Sequence, residues 1–517
     1  MTVVAWIAYR KTKGEVSTTD GYFLAGRGLT GTFIAGSLLL TNLSAEQLIG
    51  LNGSAYAFNM SAMAWEVTAG VAIIIMALVF LPKYLGGAFS TLPQFLENRF
   101  DAGVRRLSVV LFLFGYGLIT IPSILYSGSL AVLRLFDVPG LLNLGHEASL
   151  LITIFVVGSV GGVYAIFGGL RAVAISDTIN GVGLLIVGAL VPLFGLAALG
   201  EGELSAGIDI LLTQQPDKLN AIGQADDPVP FGTLFTGMVL ANLFYWCTNQ
   251  YVIQRTLGAK NLAEGQKGVL LSGFFKLLVP YFMMLPGVIA YHLYQGTITD
   301  IDLAYPTLVA DVLPAYLSGF LLAVLLGAVF SSFNSLLNSA ATLFCIDVYQ
   351  PLINPQVSEA QLIRVAKIAS LVIALFSFAA APLLQYAPDG LWQVIRIFTG
   401  FYNIPIITLV LVGMFTKRVP PLAAKVVVIF HVIAYGLLQF VFDVSISFIH
   451  VYAILFVIEV AIMWFIGQIQ PMAQEWHYQQ ETVVDLTPWR YAKFTAALLM
   501  ACIIATYVLF SPLGIAK

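Results

Sequence analysis

Thirteen stretches of this chain run for at least 18 residues with almost no charge, and that pattern leaves few folds open. A helix needs about 20 apolar residues to cross the roughly 30 Å hydrocarbon core of a bilayer. The stretches lie near 30–58, 61–85, 104–134, 147–169, 173–199, 230–256 and 267–295, then 307–348, 362–387, 389–415, 421–443, 446–468 and 490–512. They predict an all-α polytopic membrane protein with about 13 full transmembrane helices. The composition agrees: 59% of residues are hydrophobic and 10% charged, against about 25% charged in a soluble domain. No polar segment is long enough for a separate soluble domain.

The net charge of −3 and the lack of a basic tract exclude nucleic acid as a partner. Cys247, Cys345 and Cys502 all fall in apolar stretches, so no disulfide framework is implied. The first residues, MTVVAWIAYRKTKG, are too short before Arg10 to span a bilayer and read as a partial N-terminal helix. Lys and Arg gather in cytoplasmic loops. Nineteen of the 24 fall in alternate loops that include 10–27, three fall opposite, and Lys276 and Arg396 lie inside spans. That asymmetry orients the bundle in the cell membrane with its C-terminus outside. The acidic loop 200–231 is then an outer, solvated loop, and the tail 468–488 a cytoplasmic linker with an amphipathic turn.

Two of the spans are interrupted by polar residues at corresponding places: Thr41 to Gln47 in the first and Asn242 to Asn249 in the sixth. Spans one to five and six to ten then form halves of opposite orientation. An inverted repeat with paired broken helices is the pattern of secondary transporters. A carboxylate at bilayer depth costs at least about 2.5–3.5 kcal/mol, which makes Glu46 and Glu66 candidates by default.

The span 307–348 carries Ser331, Ser332, Asn334, Ser335, Asn338 and Ser339. Small polar residues of this kind commonly pack helices together. Two hydroxyls with carbonyls freed from an unwound helix would equally suit a sodium ion, and the residues alone leave both readings open. Glu66 and Lys276, with the amides of Gln47 and Asn242, make a donor–acceptor set suited to polyol hydroxyls, or else one structural ion pair. Tyr245 and Trp246 offer an aromatic platform or an interfacial belt. Arg396 is another cation within a span; Asp177 serves either function or a helix start; Glu459 has no evident partner. His292, His431 and His450 are isolated, without metal-ligand spacing, and no nucleophile elbow, phosphate loop or cofactor motif stands out.

NLSAEQLIG, GGLRAV followed by Asp177, NLFYWCTNQYVIQRTL, AEGQKG with Lys276, and SSFNSLLNSAATLF resemble, in fixed order, motifs of the sodium/solute symporter family. Within it, the bacterial sodium/galactose (sodium/glucose cotransporter-like) branch is the most similar. The resemblance is close from about Gly26 to Tyr349 and looser to Lys417. It implies a leucine-transporter-like fold with a 5+5 inverted repeat. It places a sodium site at the carbonyls of Leu40, Leu43 and Ala328 and the hydroxyls of Ser331 and Ser332. A second sodium site, carried by some members, matches Asp177, Ser331, Asn334 and Ser335, with Asn334 replacing a usual hydroxyl. Solute contacts match Gln47, Glu66, Asn242 and Lys276. Tyr245 and Trp246 match an inner gate, and Leu51, Trp65 and Trp392 an outer lid. Glu46 then falls to a structural role. Arg396 departs from the glutamine of sodium/sugar members, and Ala69 from a serine of the galactose branch.

The expected function is sodium-coupled import of a sugar or sugar-like solute by alternating access, with Na+ as the coupling ion and no enzymatic activity. A guanidinium prefers bidentate carboxylate or sulfate partners, so Arg396 points alternatively to an acidic or sulfated sugar or other organic anion. Proton coupling through Asp177 or Glu66 is a further alternative. The expected divisions are 1–28, a partial helix and cytoplasmic loop; 29–200, the first repeat; 201–229, an outer loop; 230–416, the second repeat; and 417–517, peripheral helices. The partners are the bilayer and a small solute (sugar, inositol or sugar acid).

Overall fold

The computed structural model describes residues 18–386, 391–442, 446–481 and 483–517, apart from the side chains of 45–46, 134–135, 163–169, 315, 318 and 391–394. The expectations for the N-terminal partial helix, Glu46 and Trp392 lie outside the described residues. Among those described there is no β-strand, only one parallel bridge between Leu29 and Ala259. Nine helices are long and apolar enough to cross a membrane, and eleven when each of two bent pairs counts as one span. The other two expected spans are the shorter apolar stretch His146–Gly162 and an interrupted segment within 230–256.

The first span, α1, consists of Gly31–Asn42 and Ala45–Ala57, bent by 55°. The break follows from local hydrogen bonding. The Ser44 N–H turns to the Asn42 carbonyl at 2.9 Å instead of reaching back to Leu40, and Ser44 becomes the extended N-cap of the second half. Helix α2, Met60–Gly86, and α3, Ala102–Leu133, follow. Next, α4 is one helical run from His146 to Leu199, whereas the sequence predicts two spans joined near 170. Both of its apolar stretches pack on the later helix Ala315–Phe344, Gly161 against Phe330 and Gly183 against Val324.

The second interrupted span, α5, comprises Gly237–Leu243, a π-helical turn Phe244–Thr248, an extended Asn249 and Gln250–Leu257. π-turns of this kind occur frequently at functional sites. Helix α6, Leu262–Lys276 and Val279–Tyr294, bends by 47°. Pro280 lacks the N–H that would bond the Lys276 carbonyl, which accounts for the bend. The remaining membrane helices are α7 (Ala315–Phe344), α8 (Glu359–Ala380), α9 (Leu391–Phe415), α10 (Pro421–Phe440), α11 (Phe448–Ile469) and α12 (Ala492–Leu509).

The buried apolar side chains form one continuous core from Tyr22 to Ala516. Two ties hold the cytoplasmic side as the sequence orients it. Leu29 N–H donates to the Gly258 carbonyl at 3.0 Å and Lys260 N–H to the Leu29 carbonyl at 2.9 Å, joining the entrance of α1 to the exit of α5. The tail beyond α11, expected to hold an amphipathic turn, instead runs as an extended strap. Its Trp476 N–H donates to Lys417, and Glu481 N–H to Gly86 at 2.7 Å. The Asp485 carbonyl accepts from Leu262 N–H at 2.9 Å, and Trp489 N–H donates to the Gln266 side chain at 2.8 Å.

Candidate functional site

The break in α1 exposes backbone oxygen to α7. The Leu40 carbonyl, released from its helical partner, accepts from Ser332 Oγ at 3.3 Å. Leu43 and Ala328 line one small crevice between α1, α4 and α7. The buried Ser331 hydroxyl faces the Asp177 carboxylate, outside normal hydrogen-bond geometry. The five residues expected at the main sodium site are therefore gathered on facing surfaces of α1 and α7. Carbonyls and hydroxyls fit a hard cation that takes oxygen ligands.

One turn away lies the set expected for a second ion. Asp177, fully buried in α4, accepts from Ser37 Oγ at 2.7 Å through one oxygen, and its carboxylate also faces Ser331 Oγ. This side-chain contact, well inside α4, replaces the helix-start reading. Both polar atoms of the Asn334 side chain are buried and unpaired. Ser335 Oγ lies 3.5 Å from Thr41 Oγ1 and also accepts from Arg255. Arg255 is the residue that sequence reasoning missed, having assigned it to a cytoplasmic loop. Its guanidinium is fully buried, donating to Ser37 Oγ at 3.1 Å, to Ser335 Oγ and to the Tyr251 carbonyl. The available signal was its position one turn after Tyr251 in the polar run NQYVIQR.

The second polar centre is a cavity lined by residues of α1, α2, α3, α5 and α9. Gln47, Glu66, Asn242 and Arg396 all face it, as do Trp65, Tyr245 and Trp246. Glu66 accepts from Gln47 Nε2 at 2.8 Å through one oxygen and pairs with Lys276 through the other. Lys276, at the bend of α6, is not among the lining residues and pairs with the cavity's carboxylate from behind Glu66. Its ammonium also sits 5.4 Å from the Trp246 ring centroid. Asn242 Nδ2 donates to Thr68 Oγ1 at 2.8 Å. The Arg396 guanidinium lies over the face of Trp65 at 4.6 Å, within cation–π range. The Trp65 ring also lies nearly parallel to that of Phe448, with centroids 6.4 Å apart.

Of the expected gates, Tyr245 and Trp246 stand on the π-turn of α5, and Tyr251 OH bonds Tyr245 OH at 2.8 Å. Leu51, expected in the outer lid, is wholly buried and does not line the cavity. Glu459, without an evident partner in sequence, bonds His431 Nδ1 at 2.5 Å and Thr408 Oγ1 at 2.7 Å. His450 pairs with Thr236 Oγ1 at 3.0 Å. Among the described residues no group of His, Cys, Asp and Glu could hold a metal by side chains alone, and the three cysteines are free.

A broken first span that turns a backbone carbonyl to α7, and a second broken span beside a polar cavity, define a class. Solved structures share the fold. An outward-open, substrate-bound Na+-coupled sialic acid symporter superposes with a TM-score of 0.77 at 22% identity, covering 90% of this chain and 95% of that one. Mhp1, a nucleobase-cation-symport-1 family transporter, gives 0.55 at 13% identity over 88% and 96%. This is a secondary transporter of leucine-transporter-like fold, working by alternating access. The family model described as "SSF: Sodium:solute symporter family" matches residues 22–424. The chain is 44% identical over 512 residues to an Escherichia coli (strain K12) protein described as an uncharacterized symporter, YidK, covering 99% of this chain and 89% of that one. It is 32% identical to a Vibrio parahaemolyticus sodium/glucose cotransporter, covering 80% and 78%. The chain belongs to the sodium:solute symporter family. It is a multi-pass, sodium-coupled transporter and not an enzyme.

Proposed function

We propose that this transporter imports a polyhydroxylated, sugar-like solute with sodium, and that Arg396 reads an acidic group on it. The observation that carries the reading is the cavity itself: amides, a neutralised carboxylate, a guanidinium and six aromatic side chains line it together. Amides and carboxylates hydrogen-bond hydroxyls, and rings cover an apolar sugar face. The descriptions of the Vibrio relative and of a human sodium/myo-inositol cotransporter 2, 30% identical, support the polyol class. The acidic preference rests on Arg396, whose stacking on Trp65 fixes the plane of the guanidinium fork.

Sodium binds, in this reading, at the carbonyls of Leu40, Leu43 and Ala328 with Ser331 and Ser332. Arg255 already supplies a positive charge among Asp177, Ser37 and Ser335, which argues for one ion instead of two. One sodium crossing about 100 mV yields about 2.3 kcal/mol, and a roughly tenfold gradient adds about 1.4 kcal/mol. The sum supports roughly 500-fold accumulation, so one ion suffices. Sodium favours the outward-open state, and solute closes the lid over Trp65 and Trp392. The Lys and Arg asymmetry supports a C-terminus outside, and the paired breaks support repeats at 29–200 and 230–416.

The test is uptake of radiolabelled neutral sugars, inositols and sugar acids into proteoliposomes under an inward sodium gradient. Arg396→Gln is expected to weaken acidic-solute uptake at least about tenfold, as loss of a bidentate charged contact would. Acidic sugars that neither enter nor compete, with neutral uptake unchanged in Arg396→Gln, would overturn the acidic reading. Uptake driven by pH in the absence of sodium would favour protons at Asp177 or Glu66.

A further inference from the structure

The peripheral helices α10 and α11 carry a fully buried polar chain that serves no ion and touches no cavity. We propose that His431, Tyr435, Tyr452 and Glu459 are positioning residues that hold the Arg396 segment of α9 in register with Trp65. The proposal rests on the reading of Arg396 as a solute contact, and it assigns a role to two helices outside the ten of the repeat.

Three side chains donate to backbone carbonyls on one turn of α9. Tyr452 OH donates to the Arg396 carbonyl at 2.5 Å, Tyr435 OH to that of Ile397 at 2.7 Å and His431 Nε2 to that of Gly400 at 3.0 Å. All three are fully buried. Their close approach requires the glycine: a methyl at Gly400 would stand 2.4 Å from Tyr435 Oη and 2.7 Å from the Tyr452 ring. The stretch needs outside support because Pro405 breaks the ladder behind it, leaving the Phe401 carbonyl without its helical N–H. Phe401 in turn packs edge-on against Tyr435 with centroids 4.9 Å apart.

Proton bookkeeping fixes the role of Glu459. A carbonyl only accepts, so His431 must carry hydrogen on Nε2 to bond Gly400. Between His431 Nδ1 and Glu459 Oε1, 2.5 Å apart, there is then room for one proton. Whichever atom owns it, the pair is neutral as a unit and His431 keeps one tautomeric orientation. Thr408 Oγ1, on α9 itself, closes the chain on the second Glu459 oxygen at 2.7 Å. α9 is thereby held at residues 396, 397, 400 and 408 by α10 and α11. Phe448 and Tyr452, both on α11, complete the clamp. Phe448 stacks with the ring on which the guanidinium lies, and Tyr452 packs edge-on against Phe448 at 5.4 Å.

The first test needs no solute: cryo-EM structures of Tyr452→Phe and Glu459→Leu in sodium. The proposal expects the Arg396 guanidinium to leave the Trp65 face while α1 and α7 keep their arrangement. An unmoved guanidinium in folded Tyr452→Phe or Glu459→Leu would overturn it, as would a displaced one in Glu459→Gln. Should Glu459→Leu fail to fold, Tyr452→Phe and the isosteric Glu459→Gln carry the test, because a glutamine amide still donates to Nδ1. The second test measures uptake of D-glucuronate and D-galactose in the same variants. A rise in KM of about fivefold in Tyr452→Phe, the equivalent of one hydrogen bond, is expected, with sodium half-saturation unchanged and near-parental KM in Glu459→Gln. Arg396→Gln separates the two failures. If it alters KM and Tyr452→Phe does not, positioning fails; if it alters neither probe, the solute reading fails and the structures alone decide positioning.

Discussion

The ion crevice and the solute cavity share α1 yet treat charge in opposite ways. In the cavity the carboxylate is settled within the protein, Glu66 being matched by Lys276 and Gln47, while the Arg396 guanidinium belongs to the lining. In the crevice polar groups are left open. Both polar atoms of Asn334 are buried without hydrogen bonds, each at a cost of about 1–3 kcal/mol, and Ser331 Oγ faces the Asp177 carboxylate outside normal hydrogen-bond geometry. A site that leaves oxygens unpaired favours an incoming cation. A site whose carboxylate is already matched can bond hydroxyls without repelling an acidic group, which the proposed reading gives to Arg396.

The largest test of this contrast is Glu66→Gln. It strands the Lys276 ammonium in a buried setting, and loss of one member of such a pair costs about 3–5 kcal/mol. Thermal unfolding in detergent is expected to fall sharply and uptake to vanish. The double variant Glu66→Gln with Lys276→Met should recover the fold without uptake. A single variant with parental melting and transport would break the comparison.

The crevice should respond differently. Ser331→Ala with Ser332→Ala is expected to keep the fold and raise sodium half-saturation at least about tenfold, the effect of about 1.4 kcal/mol. Undiminished sodium-driven uptake would sink the ion assignment.

The smallest effect concerns the outer end of α1. Lys218 donates to the Tyr56 and Ala57 carbonyls at 2.9 and 3.1 Å, and burial pushes its ammonium down to about 8. Below about pH 8 the cap is charged, as a helix C-terminus favours. The unfolded chain keeps its proton to about 10.4, so stability should rise as pH climbs between those values while the charged cap is lost. Melting curves at pH 7 and 9.5 check this: Lys218→Met should abolish the difference.

Much of this was legible in residue order because lipid punishes polarity. Any carboxylate, amide or hydroxyl inside an apolar run draws attention, and that found Glu66, Lys276, Gln47, Asn242 and the serines of α7. Arg255 was missed because a basic residue near the end of a span looks like a loop anchor. The partners of Glu459 were hidden because His431 and Thr408 lie on other helices, where only packing brings them together. Lys276 was placed on the cavity wall, whereas the bend at Pro280 sets it behind Glu66. The strap after α11 has no periodicity, and its docking is made by backbone groups that no side-chain pattern announces.

The bridge between Leu29 and Ala259 gives the molecule a mechanical property. It couples the inner arms of α1 and α5 into a single lever, with pivots at Ser44 and Asn249 where each helix is already unwound. Displacing either arm by itself would therefore have to break both hydrogen bonds, Leu29 N–H to Gly258 and Lys260 N–H to Leu29.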